Sequence, residues 1–200
     1  MNKTLTSKST SCDLDTKDNL KCLMVNPRFS DNSFWNYRPA CELVGAKAPA
    51  PPLGLITVAS ILPSNWEYKL LDLNAEEFDQ ELWDWADMIC TGGMLPQQQQ
   101  TLKVIQRALD ENKFVAVGGP DPSSQPDLYS MADVVCAGEG EETIPIWLKS
   151  WENGEPRGIF REVNKVDVTT SPVPRFDLLN ISYYTQICLL YTSPSPRDRG

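Results

Sequence analysis

The sequence predicts an α/β protein built on a doubly wound parallel sheet. Three observations carry that expectation. Strand-like apolar runs alternate five times with helix-like segments between residue 20 and about residue 151. Most connections between them are short, and several of the strand-like runs are continuously apolar, as strands covered on both faces are.

The elements follow in order. Residues 20–26, LKCLMVN, read as a first strand that ends at Asn26-Pro27. An irregular stretch, 28–51, precedes the helix-like PPLGLITVASILP, where Pro52 suits a first turn and Pro63 ends the helix. Residues 66–73 alternate and give a second strand, 79–86 a short helix, and 87–91 a third strand running into Gly92-Gly93-Met94. Leu102, Ile105, Ala108 and Leu109 then share one helical face. Residues 114–117 form a fourth strand, followed by GGPDPSS and a short helix near 126–131. Residues 133–137 form a fifth, followed by GEGEE and a helix to about residue 151. Beyond Gly154, residues 158–162 have the length of a short added strand, and VTTSPVPRFDLL reads as an extended, proline-rich linker within 154–187.

Composition narrows the function classes. The 200 residues suit one domain with appendages, 20–153 here, preceded by a polar, disordered lead at 1–19 that lacks the apolar core of a signal peptide. Lys and Arg total 18 against 27 Asp and Glu, a net charge of −9, which argues against nucleic acid as a partner and fits a solvated acidic surface. The longest apolar run, 53–62, is about half a membrane span, so no span and a cytoplasmic location are expected. The six cysteines show no CxxC pair, and Cys22, Cys90 and Cys136 fall inside strands as buried thiols. The sequence holds no histidine, which removes imidazole catalysis and imidazole metal ligation; no catalytic or metal-ligating set stands out.

In an open parallel sheet, ligands bind outside the carboxyl ends of the strands, where the strand order reverses. The candidate binding residues are therefore Asn26, Pro27 and Arg28 after the first strand and Thr91, Gly92, Gly93 and Met94 at the end of the third. Gly118, Gly119, Pro120 and Asp121 follow the fourth, and Gly138, Glu139, Gly140 and Glu141 the fifth. Glycines at three of these turns let backbone approach a flat or bulky ligand, or simply permit tight turns. The 28–51 stretch, with Phe34, Trp35, Tyr37 and Arg38, either covers a ligand, docks a neighbour, or packs its aromatics on the sheet edge. Asp121, Glu139, Glu141 and Glu142 read as helix caps and solvated turns rather than a metal or acid–base site, and Asp87 and Asp133 as strand-entry residues. No Walker lysine follows the glycines and no GxGxxG follows the first strand, so ATP and dinucleotide readings are weak, and an FMN or nucleotide binder would need a Ser/Thr-rich phosphate-cradling turn after the first strand, which is not there.

PPLGLITVASIL after an Asn-Pro-terminated strand, TGGM, VGGPDPSS and AGEGEETIP, in this order, resemble the N-terminal cobalamin-binding domain of cobalamin-dependent radical SAM enzymes. NPRFSDNSFWNYRPACELVGAKAPAPPLGL and SPVPRFDLL look like the branch containing hopanoid methylases. The resemblance implies a Rossmann-like (flavodoxin-like) sheet of five strands in the order 2-1-3-4-5. It also implies a corrin ring resting on the glycine turns and a dimethylbenzimidazole tail slotted into the sheet edge. Thr91 and Gly118-Gly119 match the family's Ser/Thr and Gly-Gly positions, while its Asp-x-His-x-x-Gly motif is absent, so cobalamin would be held His-off. In such enzymes a radical SAM barrel with a four-iron four-sulfur cluster and S-adenosylmethionine follows the linker. Here ICLLYTSPSPRDRG stands in its place and resembles translated adapter read-through, so 188–200 is expected to be a non-native tail and the chain a fragment that cannot make the radical alone. The competing reading is a non-catalytic flavodoxin-like signalling or interaction module.

Overall fold

The computed structural model describes residues 19–33 and 36–185. Phe34, Trp35, the expected tail at 188–200 and residues 1–18 of the expected lead lie outside the described residues. The chain runs β1 (Lys21–Asn26), α1 (Arg38–Leu43), α2 (Leu53–Ile61), β2 (Glu67–Asp72), α3 (Gln80–Trp85) and β3 (Met88–Gly92). It continues with α4 (Gln98–Asp110), β4 (Phe114–Gly118), α5 (Pro120–Ser124), β5 (Val134–Ala137), α6 (Gly140–Glu152) and β6 (Gly158–Arg161).

The strands form one parallel sheet in the order β2-β1-β3-β4-β5-β6, with the order reversing between β1 and β3. The sheet thus has six strands where five were expected. β6 extends it by pairing Val134↔Gly158 through Ala137↔Arg161. Its pattern is weak because an edge strand is half solvated: Gly158, Ile159 and Arg161 are exposed. Two further corrections concern the turns. The stretch expected to be irregular contains α1, with Pro39 in its first turn. After β4 the helix begins at once, at Pro120, and the region near 126–131 is only a 3-10 turn, Pro126–Tyr129.

Each face of the sheet is covered, as parallel strands require. On one face Cys22, Met24, Met88, Phe114 and Val134 pack under α2 and α6, with Ile144 and Trp147 contributed by α6. Trp151 closes this side, its ring centroid 5.2 to 5.7 Å from those of Phe114, Trp66 and Trp147. On the other face Leu23, Val25, Ile89, Val115 and Val135 pack against Trp83, Val104, Ile105 and Ala108 of α3 and α4. Asp87 and Asp133 sit at strand entries as expected: their carboxylates accept from the backbone N–H of Lys21 (3.2 Å) and Val115 (2.9 Å).

After β6 the chain returns across α2. Arg175 N–H donates to Ile56 O at 3.0 Å, and Ser60 Oγ to Val173 O at 2.8 Å. Further on, the N–H groups of Lys47 and Ala48 both donate to Tyr183 O, at 2.8 and 3.0 Å. Among the described residues no helix is long and apolar enough to cross a membrane.

At the ends of β3 and β4, Gly92 pairs with Gly118 so closely that a Cβ on Gly92 would lie 2.5 Å from Gly118 O. Gly92→Ala is expected to cost about 1–3 kcal/mol, because backbone has to shift to admit one methyl group. Urea unfolding of the variant measures it.

Candidate functional site

The site arises from a pattern inside the strands. Residues 88–92, 114–118 and 134–138 read MICTG, FVAVG and VVCAG. In each, the residue facing α2 and α6 shrinks toward the carboxyl end: Met88, Cys90, Gly92; Phe114, Ala116, Gly118; Val134, Cys136, Gly138. The opposite face keeps its bulk, with Ile89, Val115, Val117 and Val135 all buried. The layers therefore close at the amino ends of the strands and gape at the carboxyl ends, on one face only.

The gap is a cavity of about 550 Å³, within the range of small-molecule sites. Its sheet wall is Cys90, Ala116 and Cys136, and the facing walls are Val58 and Ile61 of α2 and Ile144 and Trp147 of α6. The three sheet residues lie two positions before Gly92, Gly118 and Gly138, so the slot reaches about 7 Å into the layer. At its mouth lie the glycine turns, with Thr91, Met94, Pro120, Glu139 and Glu141, and the proline-rich run 49–52. Burial pushes the Cys136 thiol up to about 12, so this wall is a neutral thiol at physiological pH. The sulfur-to-sulfur contact of Cys22 with Cys90, 3.4 Å, likewise holds the Cys22 thiol well above its usual range.

The glycines have a structural reason of their own. Gly119 has φ +97°, and a Cβ there would stand 3.2 Å from Gly93 N. A Cβ on Gly138 would stand 2.4 Å from Glu162 Cβ, and one on Gly140 3.4 Å from Val58 Cγ2. The turns are packed on one another and on their neighbours, and this bare backbone is what faces the cleft.

Of the candidates read from the sequence, Asn26, Thr91, Gly92, Gly93, Met94, Gly118, Gly119, Pro120, Gly138, Glu139, Gly140 and Glu141 line the cavity. Pro27, Arg28 and Asp121 do not. Pro27 offers its carbonyl to Gln97 Nε2 (2.6 Å) and Asn74 Nδ2 (3.0 Å). Arg28 turns away to Leu73 O (2.8 Å) and the exposed Glu77. Asp121, expected in a solvated turn, is 4% exposed and accepts from Tyr129 Oη (2.5 Å), Gln98 Nε2 (2.9 Å) and Gln125 Nε2 (3.0 Å), tying α5 to α4. The other carboxylates hold the chain after β6. Glu141 accepts from Ser171 Oγ (2.6 Å) and Glu142 from Asn164 N–H (2.9 Å), while Glu139 N–H donates to Glu162 Oε2 (3.0 Å). Among the described residues no group of three or more His, Cys, Asp or Glu is placed to hold a metal ion.

The rim beside β1 is braced by a buried polar network. Asp72 Oδ1 accepts from Asn26 Nδ2, Asn74 Nδ2 and Asn74 N–H, each at 2.9 Å, and its Oδ2 accepts from Tyr184 Oη at 3.1 Å. Gln97 Nε2 donates to Asn26 Oδ1 at 3.1 Å, and its Oε1 receives Met94 N–H at 3.0 Å. Burial pushes the Asp72 carboxyl above its usual range, against the opposing pull of hydrogen bonds from Asn74, Asn26 and Tyr184.

Sequence reasoning stopped at the residues following each strand and so missed Cys90, Ala116, Cys136, Val58 and Ile61 as cavity walls. The signal was present as the threefold large-to-small-to-glycine pattern.

Residues 43–148 match the family described as the B12 binding domain. An uncharacterized methyltransferase of Synechocystis sp. is 41% identical over 179 residues, covering 88% of this chain and 33% of its own. A hopanoid C-2 methylase of Rhodopseudomonas palustris is 31% identical over 181 residues, 88% of this chain and 34% of its own. An uncharacterized methyltransferase of Pyrococcus horikoshii is 30% identical over 165 residues, 67% of this chain and 35% of its own. The chain thus spans about a third of the length of the curated relatives it matches. No solved structure matches it.

The Asp72 network gives a signed pH prediction. With its folded pKa raised above the ordinary 3.8, Asp72 contributes stability that is complete below that value and is lost as pH rises through the folded value. In urea melts from about pH 3.5 upward, Asp72→Asn therefore loses less stability with rising pH than the parent chain does. Asp72→Ala, which strands the donors of Asn26, Asn74 and Tyr184, costs about 2–4 kcal/mol at neutral pH.

Proposed function

Because the chain belongs to the B12 binding domain family, we propose that it binds cobalamin across the carboxyl edge of its sheet. The large ring rests on the bare backbone of the glycine turns after β3, β4 and β5, and the nucleotide tail enters the slot between the sheet and α2/α6. The observation that carries this reading is the one-sided taper of three adjacent strands, which leaves an apolar cavity open at the place where such sheets bind ligands.

The residues present suit that group. Thr91, Gly92, Gly93, Met94, Gly118, Gly119, Pro120, Gly138, Glu139, Gly140, Glu141 and Asn26 form the mouth, and Pro27, Arg28 and Asp121 support it from behind. With no histidine in the sequence, cobalt receives no imidazole from this chain, so affinity rests on shape, backbone hydrogen bonds and apolar contact. Bound cobalamin would supply a methyl carrier. Relatives about three times as long and described as methyltransferases or a methylase support reading this chain as the cofactor domain of a methyltransferase-like enzyme. Residues 154–187 then lead toward a catalytic part of the radical SAM type with its iron–sulfur cluster and S-adenosylmethionine, the whole acting in the cytoplasm.

Titration of the chain with hydroxocobalamin, followed by its visible spectrum, tests the reading. Binding is expected, and at a hundredfold excess over Kd it stabilises the fold by about 2.7 kcal/mol, a rise in Tm of roughly 5–10 °C. No spectral change and no retention at high micromolar concentration would overturn it. Gly54 lines the mouth, and a Cβ there would meet nothing within 4 Å. Gly54→Trp is therefore expected to weaken binding about tenfold or more while leaving the unliganded Tm unlowered, since helix propensity favours the change.

A further inference from the structure

Resting on the reading of the cleft as a cobalamin site, we propose that its slot selects corrinoids by the polarity of the lower base. It accepts an apolar base, a benzimidazole or a phenol, and rejects a purine.

The argument is an accounting of hydrogen-bonding groups. The deep walls are Val58, Ile61, Ala116, Ile144 and the two thiols. The side-chain N–H and O–H donors that line the cavity donate inside the protein. Thr91 Oγ1 donates to Val25 O at 3.0 Å, Thr57 Oγ1 to Leu53 O at 2.8 Å, and Trp147 Nε1 to Pro156 O at 2.9 Å. Gln97 and Asn74 are held in the Asp72 network.

A dimethylbenzimidazole or cresol ring gives up little hydration on entering such a slot. An adenine brings an exocyclic amine and several ring nitrogens, which leave water and find no side-chain partner. Each group stranded in this way weakens binding by at least about fivefold, and two or three together by at least about 30-fold. Ala116 of β4 and Val58 of α2 are the specificity-determining positions, because both line the slot and neither side chain offers a donor or acceptor.

The test measures affinities of the whole chain for cobalamin, p-cresolylcobamide, adeninylcobamide and cobinamide, which has no base. The cresolyl and adeninyl compounds make the decisive pair, since the cresol cannot ligate cobalt and adenine does so weakly. The expected result is adeninylcobamide at least about 30-fold weaker than p-cresolylcobamide and close to cobinamide. Adeninylcobamide within about threefold of p-cresolylcobamide would overturn the selectivity while leaving the cofactor proposal standing. Failure of all four to bind would overturn the cofactor proposal itself, and the selectivity with it. Ala116→Leu, and independently Val58→Phe should the first not fold, fill the slot. Each is expected to bring p-cresolylcobamide down to that variant's own cobinamide level, and p-cresolylcobamide binding unaltered in a folded variant would place the base elsewhere.

Discussion

The structure depends on one packing constraint: a parallel sheet has to be covered on both faces, yet three of its central strands lose their side chains on one face as they approach the carboxyl edge. Met88, Phe114 and Val134 hold α2 and α6 against the sheet at one end, and Cys90, Ala116, Cys136 and the glycines beyond them cannot do so at the other. Interiors otherwise close to crystal-like density. Helices anchored at one end by Trp147, Trp151 and Phe114 therefore stand off from the sheet at the other, and the space between them is apolar because its walls were built as core.

That wedge needs bracing from outside. The Asp72 network ties β1, β2 and the turn after β3 to Tyr184 of the returning chain. Glu141 and Glu142 hold the same returning segment near Ser171 and Asn164. The carboxylates of Glu141 and Glu142 at the sheet edge thus act as acceptors for protein donors. Their clustering follows from the need to pin an extended, proline-rich segment that makes few backbone pairs of its own.

Much of this was legible in the sequence. Continuous apolar runs at 20–26, 87–91, 114–117 and 133–137 placed four of the strands, because burial on both faces leaves little room for polar residues. The carboxyl-edge rule led to the rim of the sheet at which the cavity opens. The short added strand read at 158–162 is β6, left out of the five-strand order because its solvated edge position weakens its pattern, and α1 was obscured by its six-residue length and the prolines around it. The burial of Asp121 depends on Tyr129, eight residues away on a different turn, so no local pattern signals it. The slot was missed for another reason. It is a relation among three strands, visible only when 88–92, 114–118 and 134–138 are aligned by their final glycine. Arg28 was a candidate because it follows β1, but its guanidinium goes to Leu73 O and Glu77.

Cobalamin bound as proposed would have its nucleotide base drawn by the tapered slot away from the cobalt, in a chain whose sequence holds no histidine to replace it. Electron paramagnetic resonance of the chain loaded with cob(II)alamin tests this most directly, because a nitrogen ligand splits the cobalt lines into triplets. The account predicts a bound spectrum without nitrogen splitting, and triplet splitting in the bound state would contradict it.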